Sequence, residues 1–413
     1  MPSNTKKMRE ILTYILEEIT PHEKDSTLAN VQKFLKNIAL EAKKLKIKGR
    51  PILGGSFAKN TWLKGDYDVD IFFSFDLKHK KDNLSELLQK ILSKFNAIRI
   101  HGSRDYFQIR NGVCFEVIPV LNIKKATDAQ NVTDFSVWHV DWTNKKGKKL
   151  KNEIRLAKKF CKAQRVYGAE SYIRGFSGHV LDILVVHYGG FIKLLNAASK
   201  WMPKTVIDTQ NHYKGKALQF INKSKTQSPL VVVDPVQPGR NASAAISQEK
   251  FDKFIKSAKA FLKKPAEEFF RIKPVNEDAL KKKGVFLKIK IAPVNGVENV
   301  VGVKLLKAGE FLKEKLEEFR VIYSDWEWDK KNDAIWRFVL KKEEISKETI
   351  MQGPPIRFKE HCERFKSAHK KTFLKKGKLF AQVLRENTTP KAVLSAEFNN
   401  KYLKDKAKTI TFM

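Results

Sequence analysis

Between Leu53 and Ile71 the chain reads Leu-Gly-Gly-Ser-Phe-Ala-Lys-Asn-Thr-Trp-Leu-Lys-Gly-Asp-Tyr-Asp-Val-Asp-Ile, an order that few folds can accommodate. A short strand, Ile52-Leu53, runs into a Gly54-Gly55-Ser56 turn. The spacing predicts a helix over 56–63, and Asp66–Phe73 then returns as a strand of alternating character. Side chains on a strand alternate with period two. Asp68 and Asp70 therefore leave one face about 6–7 Å apart, while Val69 and Ile71 enter the core. Two carboxylates so placed suit hard divalent cations such as Mg²⁺, which take oxygen ligands and keep part of their shell for water and phosphate. Backbone N–H groups at a glycine turn that opens a helix suit a phosphate chain. Gly55 lets the phosphate approach closely, Ser56 adds a hydroxyl and Lys59 a cation.

A pair of ions needs a further carboxylate. Tyr106–Arg110 and Val113–Val120 flank Asn111-Gly112, a hairpin signal. In the second of these strands Glu116 stands among Val113, Phe115, Val117 and Ile118, where an unpaired carboxylate is costly. Elsewhere, Val31, Phe34, Leu35, Ile38, Ala42 and Leu45 form the apolar face of a long helix, and 84–95 a second one. Helical patterns follow over 149–164 and 177–200. Pro229–Pro238 reads as a strand, with Asn241 as the cap of the next helix. Further on, the order is strand (285–291), strand (300–304), helix (308–319), strand (321–325) and strand (334–340).

Composition narrows the partner. The 413 residues carry 81 Lys+Arg against 45 Asp+Glu, a formal net charge of +36, which calls for a polyanion. The segment after Gly353-Pro354-Pro355 holds 15 Lys+Arg against 5 Asp+Glu. Three scattered cysteines exclude a disulfide framework and fit a reducing compartment. Met1–Lys7 carries no apolar stretch of a signal peptide. The most apolar run, Val180–Leu195, is broken by Asp182, His187 and Lys193, so it reads as a buried helix and not as a membrane span. The expected setting is the cytoplasm, with nucleic acid and no membrane as partner.

Gly55-Ser56, then Asp68-Val69-Asp70, then Glu116 on a later strand resembles the signature of the DNA polymerase β-like nucleotidyltransferases. Further segments narrow the likeness to the archaeal (class I) CCA-adding enzymes: Glu153–Phe160, Val166–Glu170, Gly175–Gly178, Ala197–Trp201, Val233–Asn241 and Gly353–His361. The resemblance covers nearly the whole chain. It implies an α+β multidomain fold: a nucleotidyltransferase head with a mixed sheet and helices (1–140), a mainly helical neck (141–264), a small α+β body (265–352) and a basic tail that contacts tRNA (353–413). It implies template-independent addition of C, C and A from CTP and ATP to the 3′ end of tRNA, with pyrophosphate released. Asp68, Asp70 and Glu116 would be catalytic and hold two Mg²⁺ ions. Gly55, Ser56 and Lys59 would meet the incoming nucleotide. His139, Lys158 and Tyr167 match positions that meet its triphosphate or sugar, and Arg240 matches an arginine that helps select the base. The family usually has Arg where Lys59 stands, which removes a bidentate fork, and Asp where Glu116 stands, which adds a methylene of reach. The implied partner is the acceptor stem and TΨC arm of tRNA; a homodimer stays open as the assembly. Two other readings share parts of this pattern: a tailing polymerase of the poly(A) or poly(U) type, and a non-catalytic RNA-binding protein. Trp326, Trp328 and Trp336 are open to stacking on RNA or to packing in a core.

Overall fold

The computed structural model describes residues 2–21, 24–66 and 68–413. Tyr67, inside the expected strand 66–73, lies outside the described residues, as does Met1. The chain divides into two compact units, 1–273 and 274–413.

The first unit opens with α1 (Pro2–Ile19) and α2 (Lys24–Lys44). Sequence reading placed the first long helix at the second of these. The i, i+4 spacing of Ile11, Ile15 and Ile19, all buried, marks the first as well. Val31, Phe34, Ile38 and Ala42 of α2 are buried against a five-stranded sheet. Its strands are β1 (Gly49–Leu53), β2 (Val69–Phe75), β3 (Ile98–Ile100), β4 (Tyr106–Asn111) and β5 (Val113–Leu121), in the order β1-β2-β5-β4-β3. Only β2 and β5 run parallel. The β4–β5 hairpin turns at Gly112, φ +68°, as its sequence predicts.

The helix expected over 56–63 is a single turn, α3 (Gly55–Ala58). Asn60 then takes φ +52° and the chain becomes extended, so no long helix stands behind the glycine turn. Next come α4 (Leu84–Ile91), α5 (Ser136–Lys146), α6 (Lys151–Ala163), α7 (Gly178–Tyr188) and α8 (Phe191–Ala198). The apolar run 180–195 is two of these helices, bent by 93° at Gly189-Gly190, where φ is +73° and +137°. Nearly all of their apolar side chains are buried in a core of phenylalanines that includes Phe160, Phe191, Phe254 and Phe261. Among the described residues no single helix is long and apolar enough to cross a membrane. After β6 (Thr205–Ile207), the one-turn α9 (Ala217–Phe220) and β7 (Leu230–Val232), the unit closes with α10 (Gln248–Lys263). Ser247 caps α10. Asn241 does not cap it; its amide oxygen accepts from Val232 and Ser243 N–H and pins a loop.

In the second unit, α11 (Glu277–Lys281) leads to β8 (Val285–Pro293), α12 (Glu298–Lys315), β9 (Val321–Glu327) and β10 (Ala334–Leu340). The strand expected at 300–304 is the start of α12: Val301, Leu305, Ala308 and Leu312 form one buried stripe, and tertiary burial overrides the β-branched run. The expected body–tail boundary at 352/353 falls inside β11 (Glu348–Pro355). That strand joins β12 (Thr372–Lys375) and β13 (Lys378–Leu384) in a three-stranded sheet, with α13 (Lys359–Ala368) beside it in sequence. α14 (Pro390–Glu397) and α15 (Lys401–Lys404) precede β14 (Ala407–Phe412), which pairs with β8. Trp336 is buried, stacked on Trp326 at 5.5 Å, over Gly309, where a Cβ would come within 1.8 Å of its ring. These two tryptophans pack a strand pair.

Candidate active site

The parallel register of β2 and β5 sets Asp70 opposite Glu116, and the antiparallel register of β4 and β5 sets Gln108 opposite Glu116. Asp70, Glu116 and Gln108 thus form a row across one sheet face. Asp68 precedes β2 and is exposed, while Asp70, Glu116 and Gln108 are half-buried. Gln108 Nε2 donates to Glu116 Oε1 at 2.7 Å. The Gly54 N–H donates to the Asp70 carbonyl at 2.8 Å, which lays the glycine turn directly on the carboxylate. Gly55 has φ +54°, and a Cβ there would stand 1.5 Å from Asp70 Oδ2. Only glycine fits both demands.

Burial, and after it the neighbouring Asp68, push the Asp70 carboxyl up to about 6 against the pull of Lys59 and Lys158. The Cys114 thiol is pushed up to about 11 by burial and by the negative charge of Asp68. Among the described residues Asp70 has no ion-pair partner. Hard oxygen donors from two adjacent strands, one of them resisting ionisation beside another carboxylate, fit a divalent cation better than they fit a structural ion pair.

Helix α6 holds the segment that leads into β2. Arg155, Lys158 and Lys162 lie on one helix face. Arg155 donates to the Trp62 carbonyl and, at 2.8 Å, to Asn60 Oδ1. Lys158 Nζ donates to Thr61 Oγ1 at 2.9 Å and to its carbonyl at 3.1 Å, and Lys162 pairs with Asp66 at 2.5 Å. Burial pulls the Lys158 ammonium down to about 8, with Asp182 opposing the fall. Tyr167 lies close by: a Cβ on Gly178 would meet its hydroxyl at 3.0 Å and Lys158 Cε at 3.7 Å.

Beside the glycine turn opens a cleft of about 310 Å³, lined among others by Gly55, Lys59, Phe72, His139, His179 and Arg240. Two buried aspartates wire its wall. Lys59 Nζ bonds Asp182 Oδ2 at 2.5 Å, and Lys59 and Lys158 together hold the Asp182 carboxyl below its usual range despite burial. Asp234 accepts from His139 Nε2 at 3.0 Å, His179 Nε2 at 3.3 Å and Arg240 Nη1 at 2.8 Å. Its other oxygen accepts from the Val236 and Gln237 N–H groups. Burial raises the Asp234 carboxyl, but the two histidines more than reverse that and hold it far below the carboxylate range. His139, His179 and Asp234 have donor atoms within 4.8 Å of one another; their mutual hydrogen bonds and the Arg240 cation account for that closeness.

Comparison with known proteins places these features. Residues 35–158 match the nucleotidyltransferase domain family, 152–271 the tRNA nucleotidyltransferase second domain, and 285–408 the CCA-adding enzyme C-terminal domain. The CCA-adding enzyme of Nanoarchaeum equitans is 33% identical over 79% of this chain and 82% of its own. The chain belongs to the CCA-adding enzymes. The relative from Pyrococcus abyssi is 30% identical over 87% of this chain and 83% of its own, and that from Thermococcus gammatolerans 29% over 92% and 87%. Among solved structures, the Cid1 poly(U) polymerase superposes with a TM-score of 0.51 at 13% identity, covering 65% of this chain and 99% of its own. That likeness is one of fold.

Against the positions that the CCA-adding enzyme resemblance implies, the structure gathers Gly55, Lys59, His139 and Arg240 around one cleft and sets Asp70 and Glu116 side by side beyond Gly55. Ser56 lies in the single turn of α3. Lys158 and Tyr167 lie behind the wall, with Lys158 bonded to Thr61. Four residues escaped sequence reading as site candidates: Gln108, His179, Asp182 and Asp234. Only Asp182 left a signal, as a charge inside the most apolar run.

Proposed function

We propose that this chain adds C, C and A to the 3′ end of tRNA, taking CTP twice and ATP once. The 3′-hydroxyl oxygen forms a bond to the α-phosphorus, the bond from that phosphorus to the bridging oxygen breaks, and pyrophosphate leaves. The observation that carries this reading is the register pairing of Asp70 with Glu116 beside the Gly55 turn, in a chain whose three regions match the family's domains in order.

Asp68, Asp70 and Glu116 would hold two Mg²⁺ ions. When bound, such ions lower the pKa of the attacking hydroxyl and offset charge on the leaving oxygen. Gly55 leaves room for the Asp70 carboxylate against the turn, Ser56 donates its hydroxyl to the phosphate chain, and Lys59 supplies positive potential from the cleft wall. His139 and Arg240, oriented by Asp234, meet the sugar and base of the incoming nucleotide. Lys158 and Tyr167 back this wall through Thr61 and Gly178. The basic second unit takes the acceptor stem and TΨC arm by shape and phosphate contact, since A-form RNA hides its major groove. The protein works where tRNA matures, in the cytoplasm.

The test is incubation of tRNA ending before CCA with single and mixed labelled nucleotides. Incorporation stops after three additions in the order C, C, A. A tailing polymerase instead runs on with one nucleotide, and a binding protein retains tRNA without any incorporation. Affinity for tRNA falls steeply with salt, as counterion release requires, whereas a dinucleotide primer shows a shallow dependence.

A further inference from the structure

We infer that Phe220, backed by Tyr213, is a stacking ledge for an unpaired nucleotide of the tRNA 3′ end, beside the cleft and outside it; the inference rests on the reading that this 3′ end reacts in the cleft. Ala217 and Ile221 are buried with Val231 and Val233, and Tyr213 packs against them, which anchors α9 at both ends. Phe220, one residue before Ile221, is left 68% exposed. Its ring lies 6.2 Å from that of Tyr213, with 15° between the planes, so the two form an offset parallel pair. Tyr213 is itself held: its N–H donates to Asp208 Oδ2 at 2.8 Å and its hydroxyl to the Pro238 carbonyl at 2.9 Å. Pro238 stands two residues before Arg240, which lines the cleft. Lys225 Nζ donates to the Gly239 carbonyl at 3.0 Å, so the ledge and the cleft wall share one loop. Charge names the occupant. No acidic residue lies between Asp208 and Asp234, whereas Lys214, Lys216 and Lys223, all exposed, flank the two rings in sequence. An open aromatic face stacks any base, and lysines beside it follow the phosphates. Such tolerance suits this place, because the base next to the reacting end changes with each addition.

The experiment measures binding of the full chain to two RNAs by fluorescence anisotropy: an acceptor-stem minihelix with a short unpaired 3′ overhang, and the same duplex with a blunt end. Phe220→Ala and Phe220→Leu each weaken binding of the overhang RNA about tenfold and shift the blunt one less than about twofold, while Phe220→Trp keeps the parental affinity. 2-Aminopurine placed in the overhang, whose emission falls on stacking, is dimmer on the parent than on Phe220→Ala. Lys214→Ala with Lys216→Ala lowers the slope of log affinity against log salt by about 1.4, at about 0.7 per phosphate contact on a single strand. Phe220 buries little, so both truncations keep the parental urea midpoint, and Phe220→Leu, which retains most of the apolar bulk, carries the test should Ala not fold. Equal losses on the two RNAs, no loss on either, or an unchanged salt slope overturns the inference. So does a parental dimer on gel filtration that Phe220→Ala dissolves without touching RNA affinity, since the ledge then belongs to a second copy. A parent that binds neither RNA condemns the tRNA reading itself, whereas a parent that binds both without preferring the overhang condemns only the ledge.

Discussion

Two groups of carboxylates in the first unit are wired in opposite ways. Asp134, Asp182 and Asp234 are fully buried, and each faces a cation: Arg104, Lys59 and Arg240 respectively. Asp134 also accepts from the Leu121, Gln130 and Asn131 N–H groups. Asp70, by contrast, sits beside Asp68 with its carboxyl pushed up to about 6 by burial and by that neighbour. The first group has its charge settled by folding. Folding leaves Asp70 crowded by the Asp68 charge, with no ion-pair partner among the described residues.

The contrast breaks most sharply on activity. Asp70→Ala or Asp68→Ala removes a hard oxygen ligand, and incorporation into truncated tRNA falls to background while tRNA binding survives, as read by gel shift. Incorporation near the parental rate in either variant erases the distinction between the two groups.

The settled group breaks instead on stability. Asp182→Ala leaves the Lys59 ammonium buried without its counter-charge, and urea unfolding loses about 3–5 kcal/mol, the usual cost of breaking a buried pair from one side. Replacing both partners, Lys59→Met with Asp182→Leu, recovers much of that loss, because an apolar pair carries no desolvation penalty. A single Asp182→Ala variant as stable as the parent would mean that the pair contributes nothing to the wall.

Sequence showed these two groups unequally, for a physical reason. Asp68 and Asp70 announce themselves because they alternate with Val69 and Ile71, and Glu116 because it is a charge among the apolar residues of its strand, both local patterns that period-two reading detects. The same reading finds the apolar face of α2 and the β4–β5 hairpin, whose signals are local. The wall contacts are long-range: His139 meets Asp234 across 95 positions and Lys59 meets Asp182 across 123, and no local period encodes such a meeting. The shortened α3 is a similar case. Arg155 and Lys158 on α6 hold the Asn60 amide oxygen, the Thr61 hydroxyl and carbonyl and the Trp62 carbonyl, so a tertiary clamp fixes this stretch outside the helix and overrides a local preference. Residues 300–304 fail differently. Val-Val-Gly-Val has strand character alone, and only the stripe through Leu312 reveals the helix.

The smallest predicted effect is the most specific to Asp70. Below 3.8, the ordinary value of an aspartate, the carboxyl is protonated in both folded and unfolded chains. As pH rises from there to about 6, the unfolded chain ionises first, so the folded state binds more protons and stability falls; above about 6 the whole cost is present. Asp70→Asn never ionises and escapes it. At pH 7 without divalent ions this variant is therefore more stable than the parent by about 1–3 kcal/mol, the upper end being reduced by the partial exposure of the group. The gap closes as the pH is lowered toward 4. Mg²⁺ narrows the gap from the other side, since a cation that binds the ionised carboxylates stabilises the parent by linkage and has less to bind in the variant. Thermal unfolding at pH 4 and pH 7, with and without Mg²⁺, measures all four corners. If Asn lowers the pH 7 Tm in the absence of metal, the Asp70 carboxylate is held by favourable partners after all, and the line drawn between the two groups of aspartates disappears.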